Sequence, residues 1–153
     1  MHYVLPTLIV ALPIVAFFAA GRAGFRSFGR LQVSLRLLAA AILLPAAAIH
    51  LKMPQAFAAA IPPAFPHRYA LAIVSGLLEA AGGIGLFLPF TRRAAALCLA
   101  ILMVAIFPAN IYIAGQTIGP LHMPGVPVRG ALQMVFVTVI LLGGWGWPAS
   151  NKT

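Results

Sequence analysis

The pattern of apolar and polar positions divides the chain into five long apolar stretches joined by shorter polar segments. The stretches are residues 3–20, 33–51, 69–89, 94–113 and 130–147. Each approaches the ~20 residues that an α-helix needs to cross a ~30 Å hydrocarbon core. The stretches lack the alternation of membrane β-strands and are about twice as long as such strands. The pattern therefore predicts an all-α membrane protein with five transmembrane helices in a single domain.

Four residues interrupt these stretches. Arg36 lies one turn inside the 33–51 segment, where we expect its long side chain to snorkel to the headgroups. Pro13, Pro45 and Pro108 fall inside predicted helices. Each proline frees a backbone carbonyl and kinks its helix unless neighbouring groups compensate.

The basic residues predict the orientation of the helices. One side of the membrane would carry seven of them, namely Arg22, Arg26, Arg30, Arg36, Arg92, Arg93 and Lys152, and the other side three, namely Lys52, Arg68 and Arg129. Cytoplasmic loops carry the excess of positive charge, so the amino terminus is predicted outside and the carboxyl terminus in the cytoplasm. Positive charge follows the first segment, whereas it precedes the apolar run of a signal peptide, so we expect a retained helix there.

The longer connections fall on the predicted outer side, at residues 52–68 and 114–129. Both are rich in proline or glycine, so neither is expected to be regular throughout. Within the first connection, residues 55–61 predict a short interfacial helix.

Composition limits the classes of function. The chain is 63% hydrophobic and 7% charged, whereas an average soluble domain is about 25% charged. A net charge of +9 in a polar chain would suggest nucleic acid, but here the basic residues separate apolar runs and form no stripe. The expected partner is the lipid bilayer, and no nucleic acid is expected.

Glu79 is the only acidic residue of the chain and falls in the middle of the 69–89 segment. A charged carboxylate facing lipid is costly, so we expect Glu79 to face other helices. Ser75, Gly76 and Gly83 share its helical face, where the missing side chains let a neighbouring helix approach. Two roles stay open: a neutral acid that hydrogen-bonds between helices, and a functional acid.

Further polar residues gather at the outer ends of the predicted helices: His50, Asn110, Tyr112, Arg129 and Gln133. They predict a polar vestibule over Glu79. The imidazole of His50 suits proton exchange or a quinone carbonyl, and the amides of Asn110 and Gln133 suit a carbonyl or hydroxyl. Capping of helix ends is the alternative role for each. Helical rise places Glu79 ~10 Å deeper than His50, so direct contact is not expected without a tilt or kink.

Metal and thiol chemistry have little support. The four histidines, at positions 2, 50, 67 and 122, show no short ligand spacing, and the chain has no Asp. No metal site is expected. Cys98 is the single cysteine, which excludes a two-cysteine relay within the chain.

Several motifs between the second and fourth predicted helices resemble those of the DoxX family of small bacterial membrane proteins. They read IPPAFP at 61–66, SGLLE at 75–79, GGIGLFL at 82–88, TRR at 91–93 and FPANIY at 107–112. The resemblance spans roughly residues 36–147. His50-Leu51 stands where family members usually have His-Phe, and the helix before Val33 is an addition typical of a subgroup with an extra amino-terminal helix.

The resemblance implies a four-helix transmembrane bundle, here with one amino-terminal helix added, in a bacterial inner membrane. Family members are linked with redox or respiratory partners, including the small subunit of thiosulfate:quinone oxidoreductase and oxidative-stress complexes. By the resemblance, Glu79, Asn110 and His50 occupy recurrent polar positions. The cysteine pairs of some redox-associated relatives are missing here, which argues against a thiol relay.

We therefore expect a non-enzymatic, redox-associated or respiratory accessory subunit that docks a partner protein. It would bind a quinone or lipid-like ligand in an outer-half cavity near Glu79, with no covalent cofactor. A small membrane enzyme, an isomerase or oxidoreductase with Glu79 and His50 in proton transfer, is the alternative, and a small-solute transporter is less favoured. The candidate binding or polar-core residues are Glu79, His50, Asn110, Ser75, Tyr112 and Gln133.

Overall fold

A computed structural model describes residues 31–118 and 121–145 of the chain. In order, its elements are α1 (Leu31–Lys52), α2 (Pro54–Ala60), α3 (Arg68–Gly85), α4 (Arg92–Ala105), α5 (Phe107–Tyr112), β1 (Thr117–Ile118), β2 (Leu121–His122) and α6 (Val126–Trp145). The predicted 3–20 helix, the arginines at 22, 26 and 30, and Lys152 lie outside the described residues.

Helices lie at four of the five predicted long segments and at the predicted short helix. The 33–51 segment corresponds to α1, and the short helix predicted at 55–61 is α2, which begins at Pro54. Proline suits the start of a helix because its missing N–H would have had no partner there. Segments 69–89, 94–113 and 130–147 correspond to α3, to α4 with α5, and to α6.

Helix α3 ends at Gly85, four residues before the predicted end at Pro89. The residue before a proline avoids the helical conformation, which favours an end before Leu88. The freed carbonyls at this end are satisfied by side chains. The Thr91 hydroxyl donates to the Gly85 carbonyl at 2.9 Å, and Arg92 Nε donates to the Leu86 carbonyl at 3.3 Å.

The 94–113 segment is interrupted at Ile106, which separates α4 from α5. Pro108 accounts for the break, because it has no N–H to donate to the carbonyl four residues earlier. The kink predicted at this proline therefore takes the form of two consecutive helices.

The connection from α5 to α6 forms a small antiparallel hairpin that the sequence did not predict. Thr117 pairs with His122, and Ile118 pairs with Leu121. Gly115 precedes it with a φ of +74°, a left-handed conformation that glycine adopts without strain. The hairpin leads directly into α6, which starts at Val126, four residues before the predicted Gly130.

Each of the four long helices packs against two others. Helix α1 contacts α3 and α6, and α4 contacts the same two helices from the other side. The core between them is formed by buried residues of α1, α4 and α6 together with Leu86, which directly follows α3; its members are Ala39, Leu43, Leu86, Ala95, Ala96, Leu99, Met103 and Ile140. Short α2 packs mainly against the first turns of α3.

The outward surface of the helices is strongly apolar. Ile101, Val104 and Met134 are 60%, 66% and 71% exposed, and side chains of this kind normally avoid water. Among the described residues, three segments are long and apolar enough to cross a membrane: Gln32–Lys52, Arg92–Tyr112 and Val126–Trp145. Helix α3, which contains Arg68 and Glu79, is not one of them.

Arg36 does not extend outward as predicted. The residue is 9% exposed and packs against Gly143 of α6, where a Cβ would lie 3.2 Å from Arg36 Cγ. The missing side chain of Gly143 leaves the space that the Arg36 stem occupies, so α1 and α6 approach closely at this end.

The contact of α4 with α6 depends on Gly144. A Cβ built on Gly144 would overlap the Cβ of Ala96, a short side chain that cannot rotate away. We expect Gly144→Ala to lower the free energy of unfolding by about 1–3 kcal/mol, the usual cost of overpacking. Thermal unfolding of the purified protein in a mild detergent measures the change.

Gly130→Ala in the same helix is the matched control. The added Cβ would lie 3.8 Å from the Phe107 ring, an ordinary contact, and alanine favours a helix over glycine by about 0.5–1 kcal/mol. Equal unfolding temperatures for the two variants would contradict this account of the α4–α6 contact.

Candidate functional site

His50 and Glu79 are neighbours in the structure. The distance from His50 Nδ1 to Glu79 Oε2 is 3.7 Å, and their side chains are 12% and 5% exposed. Direct contact was not expected without a tilt or kink, yet the structure brings the two side chains together. That expectation assumed that the outer ends of α1 and α3 are level.

The two helix ends are not level. His50 lies beside Gly76 and Glu79, so the first two turns of α3 extend past the end of α1. There they pack against α2, which covers the part of α3 that α1 does not reach. A connection that forms its own helix thus shifts the register of the two long helices.

Small residues allow α1 to approach α3, as the sequence predicted. A Cβ on Gly76 would lie 2.7 Å from the Cβ of His50, and a Cβ on Gly83 would lie 3.1 Å from Leu44 Cδ2. Gly76, Glu79 and Gly83 are all buried. The prediction that Glu79 faces other helices is therefore confirmed.

Phe57 of α2 completes the surroundings of His50. The centroids of the two rings lie 3.6 Å apart, and the ring planes make an angle of 67°. This edge-on contact fixes the orientation of the imidazole between Phe57 and Glu79. Phe57 was not among the predicted site residues, because an aromatic residue in an amphipathic connection usually anchors a helix to the interface.

The pair keeps unused hydrogen-bonding capacity. His50 Nδ1 and Glu79 Oε2 are both buried and make no hydrogen bond with the part of the chain that the structure describes. Buried polar atoms are normally bonded, so such atoms call for a functional explanation. A shift of a few tenths of an ångström would bring the two atoms into hydrogen-bonding range.

A second polar cluster joins α5 to α6. Asn110 Nδ2 donates to Gln133 Oε1 at 2.8 Å, and Arg129 Nη2 donates to Asn110 Oδ1. Gln133 Nε2 in turn donates to the carbonyl of Met103, near the end of α4. Three of the five polar residues predicted to gather, Asn110, Arg129 and Gln133, are thus joined in a continuous chain of hydrogen bonds.

The remaining two candidates differ in their placement. The Ser75 hydroxyl donates to the Ala72 carbonyl at 3.0 Å and lies beside a cavity. Tyr112 is 39% exposed and does not line that cavity, and its carbonyl accepts a hydrogen bond from Gln116 Nε2. Tyr112 is the last residue of α5.

A cavity of about 670 Å³ lies between the two polar groups. Its walls are mostly apolar and come from α2, α3, α4, α5 and the segment before α6. The apolar residues that line it include Phe57, Phe65, Leu71, Val74, Leu78, Leu102, Ile106 and Ile113. The polar side chains on its surface are His50, Ser75, Asn110 and Arg129. Glu79 lies behind His50, and Gln133 lies behind Asn110.

The cavity has the composition of a site for an amphiphilic small molecule. Ligand pockets are typically ~300–1,000 Å³, mostly apolar, with a few polar groups that orient the ligand. Metal chemistry is not indicated, because no three His, Cys, Asp or Glu side chains among residues 31–118 and 121–145 come close enough together to hold an ion.

Arg129 and Met123 were not among the predicted site residues, yet both line the cavity. The sequence did predict that Arg129 lies at the level of Asn110. The absence of an acidic residue near Arg129 in the sequence could have marked it as a candidate site residue. Met123 follows the hairpin, and its position depends on a turn geometry that the sequence did not reveal.

These features define a mainly α-helical protein with three candidate membrane spans among its described residues and an apolar cavity that carries a few polar side chains. Residues 38–143 match the family described as Domain of unknown function (DUF8561). Because the match covers more than half of the chain, the protein belongs to this family. No curated protein and no solved structure matches the chain.

Asn110 is expected to hold the α5–α6 cluster together. Asn110→Leu would remove one hydrogen-bond partner from Arg129 and one from Gln133. Leaving a fully buried polar group without a partner costs about 1–3 kcal/mol, and these part-buried groups should lose less than that. We expect a clear fall in the unfolding temperature of the protein in detergent.

Gln116→Leu serves as the control, because Gln116 is exposed and bonds only to a nearby backbone carbonyl. Its unfolding temperature should stay close to that of the wild type. A comparable fall for the two variants would show that the Asn110 cluster adds no stability.

Proposed function

We propose that this protein is an integral membrane protein that binds a lipid-like molecule in the cavity between α2, α3 and α5. The cavity carries the proposal: it is large enough for a small ligand, its walls are apolar, and its few polar groups cluster around His50 and Arg129. A quinone and a lipid are both ligands of this kind.

We propose that the four long helices form a four-helix transmembrane bundle to which residues 3–20 add a fifth helix. The three candidate spans and the apolar outward surface support this arrangement. Helix α3 would span as the fourth member, with Glu79 turned towards α1. The excess of basic residues supports an outer amino terminus and a cytoplasmic carboxyl terminus.

The motifs shared with the DoxX family support a bacterial inner-membrane location and an accessory role beside a redox or respiratory partner protein. In this proposal the protein has no catalytic activity alone. It presents or stores the ligand for its partner, and the cavity lies in the outer half of the membrane.

One observation favours a second function. The side chains of His50 and Glu79 lie 3.7 Å apart with unbonded polar atoms, an arrangement suited to proton transfer. The alternative proposal is a small membrane enzyme, an isomerase or oxidoreductase, in which the pair exchanges protons with an apolar substrate. Only His50 reaches the cavity surface, so His50 would contact the substrate and Glu79 would exchange protons through it.

Filling the cavity tests the binding function. Ala109 lines the cavity, and Ala109→Phe would place a ring in it. Protein purified in mild detergent should carry an extractable apolar molecule, seen by mass spectrometry of the organic extract, that is strongly reduced in Ala109→Phe.

Ala94→Phe is the control, because Ala94 is exposed on α4 and does not line the cavity. It should retain the ligand at the wild-type level. Equal ligand content in both variants, or no specific molecule in the wild type, would reject the binding function.

Substitutions of Glu79 separate structure from proton exchange. Glu79→Gln keeps the shape and hydrogen bonding of the side chain, whereas Glu79→Leu removes both. If Glu79 only supports the helices, Gln should preserve stability and any cellular phenotype, and Leu should lower the unfolding temperature. If the pair exchanges protons, Gln should preserve stability and abolish the phenotype.

A Glu79→Leu variant with wild-type stability and phenotype would contradict both roles. The comparison uses the same detergent for all three proteins and complementation of a deletion strain as the cellular measurement.

A further inference from the structure

Arg129 has no carboxylate partner in the part of the chain that the structure describes. The chain holds ten Lys and Arg residues but only one acidic residue, Glu79. Among the described Lys, Arg and His side chains, only His50 lies within 4.0 Å of the Glu79 carboxylate. The charge of Arg129 is therefore not neutralised by a side chain of this protein. Arginine does not lose its proton in proteins, so the charge is permanent.

The guanidinium of Arg129 keeps donors free at the cavity. Nη2 donates to Asn110 Oδ1, and Nη1 makes a weak contact with Met123 Sδ at 3.5 Å. Arg129 Nε is buried and makes no hydrogen bond with residues 31–118 or 121–145. Of the five N–H donors of a guanidinium, only two are used by these contacts.

Hydrogen bonds on the side away from the cavity fix the position of the Arg129 guanidinium. Asn110 accepts from Arg129 and donates to Gln133, and Gln133 donates to the Met103 carbonyl. This chain of bonds crosses from α6 to α5, returns to α6 at Gln133 and ends near the end of α4. It holds Arg129 beside the cavity, whose walls are mostly apolar.

A permanent cation beside an apolar cavity is costly unless an anion accompanies it. Resting on the proposed binding function, we propose that the ligand is an anionic amphiphile whose negatively charged oxygen head binds Arg129 and whose apolar chain fills the cavity towards Phe57, Leu71 and Leu78. One guanidinium without an acidic partner calls for one negative charge on the ligand head. A carboxylate and a phosphodiester share this chemistry, and both form paired hydrogen bonds with arginine.

The experiment compares probes of equal chain length that differ in the head. Binding of radiolabelled palmitate to the full-length protein is measured in a neutral maltoside detergent, with unlabelled hexadecanol, palmitate and palmitoyl lysophosphatidylglycerol as competitors. Palmitate should compete about tenfold or more better than hexadecanol, the gain expected from a charged hydrogen bond. Stronger competition by the lysophospholipid would identify a lipid phosphate as the head, and stronger competition by palmitate a carboxylate.

Three variants assign the effect to Arg129. Arg129→Gln should weaken palmitate binding about tenfold or more and leave competition by hexadecanol unchanged. Arg129→Lys keeps the charge and should retain the preference for the anionic probe. Arg93→Gln removes an exposed arginine that does not line the cavity and should behave as the wild type.

Equal competition by palmitate and hexadecanol in the wild type, or unchanged palmitate binding in Arg129→Gln, would overturn the anionic ligand. If hexadecanol still binds to the wild type but not to Ala109→Phe, the proposed binding function stands and only the anionic head of the ligand is rejected. Binding of no probe at all would reject both. Should Arg129→Gln not fold, the wild-type probe comparison and Arg129→Lys decide.

Discussion

The close approach of α1 to α3 at Gly76 determines how the other polar residues are arranged. With no side chain at position 76, the backbone of α3 comes close enough for His50 to reach Glu79. The same contact sets the register of the two helices, so that α3 projects past α1 and needs α2 to cover it. The cavity exists because α2 and α5 stand at this projecting end, where the long helices no longer pack against one another.

The charge of the chain adds a second constraint. A protein with a single acid can neutralise very few of its cations, and here that acid is taken up by the contact with His50. Arginines on the outside meet water or lipid phosphates, where their charge is tolerated. Arg129 is different, since it lines a mostly apolar cavity. The scarcity of carboxylates therefore links the composition of the whole chain to the chemistry expected of one cavity.

The helices and the polar residues of the cavity could largely be predicted from sequence, because both depend on local patterns. Apolar length predicted α1 and α6, and small residues at helical spacing correctly predicted that Glu79 is buried against another helix. The contact between His50 and Glu79 could not be predicted, since it depends on the offset of two helices joined by a third. Phe57 and Met123 were missed for the same reason, because their positions depend on the path of connections. The outward direction expected of Arg36 was wrong. The Arg36 stem occupies the space left by the missing side chain of Gly143, and Gly143 is too distant in sequence for that contact to be predicted.

The break at Ile106 separates two parts of the molecule that differ in local stability. The buried leucines and Ile140 hold the long helices together at one end, whereas the cavity wall at the other end includes α2 and α5, of seven and six residues. Helices this short have little stability of their own, and segments with few buried contacts open with low free energy. The wall is thus expected to open by local unfolding while the core stays folded. Amide hydrogen exchange would then be fast in α2 and α5 and slow around Leu43 and Leu99, and a molecule could enter from the membrane without the long helices having to separate.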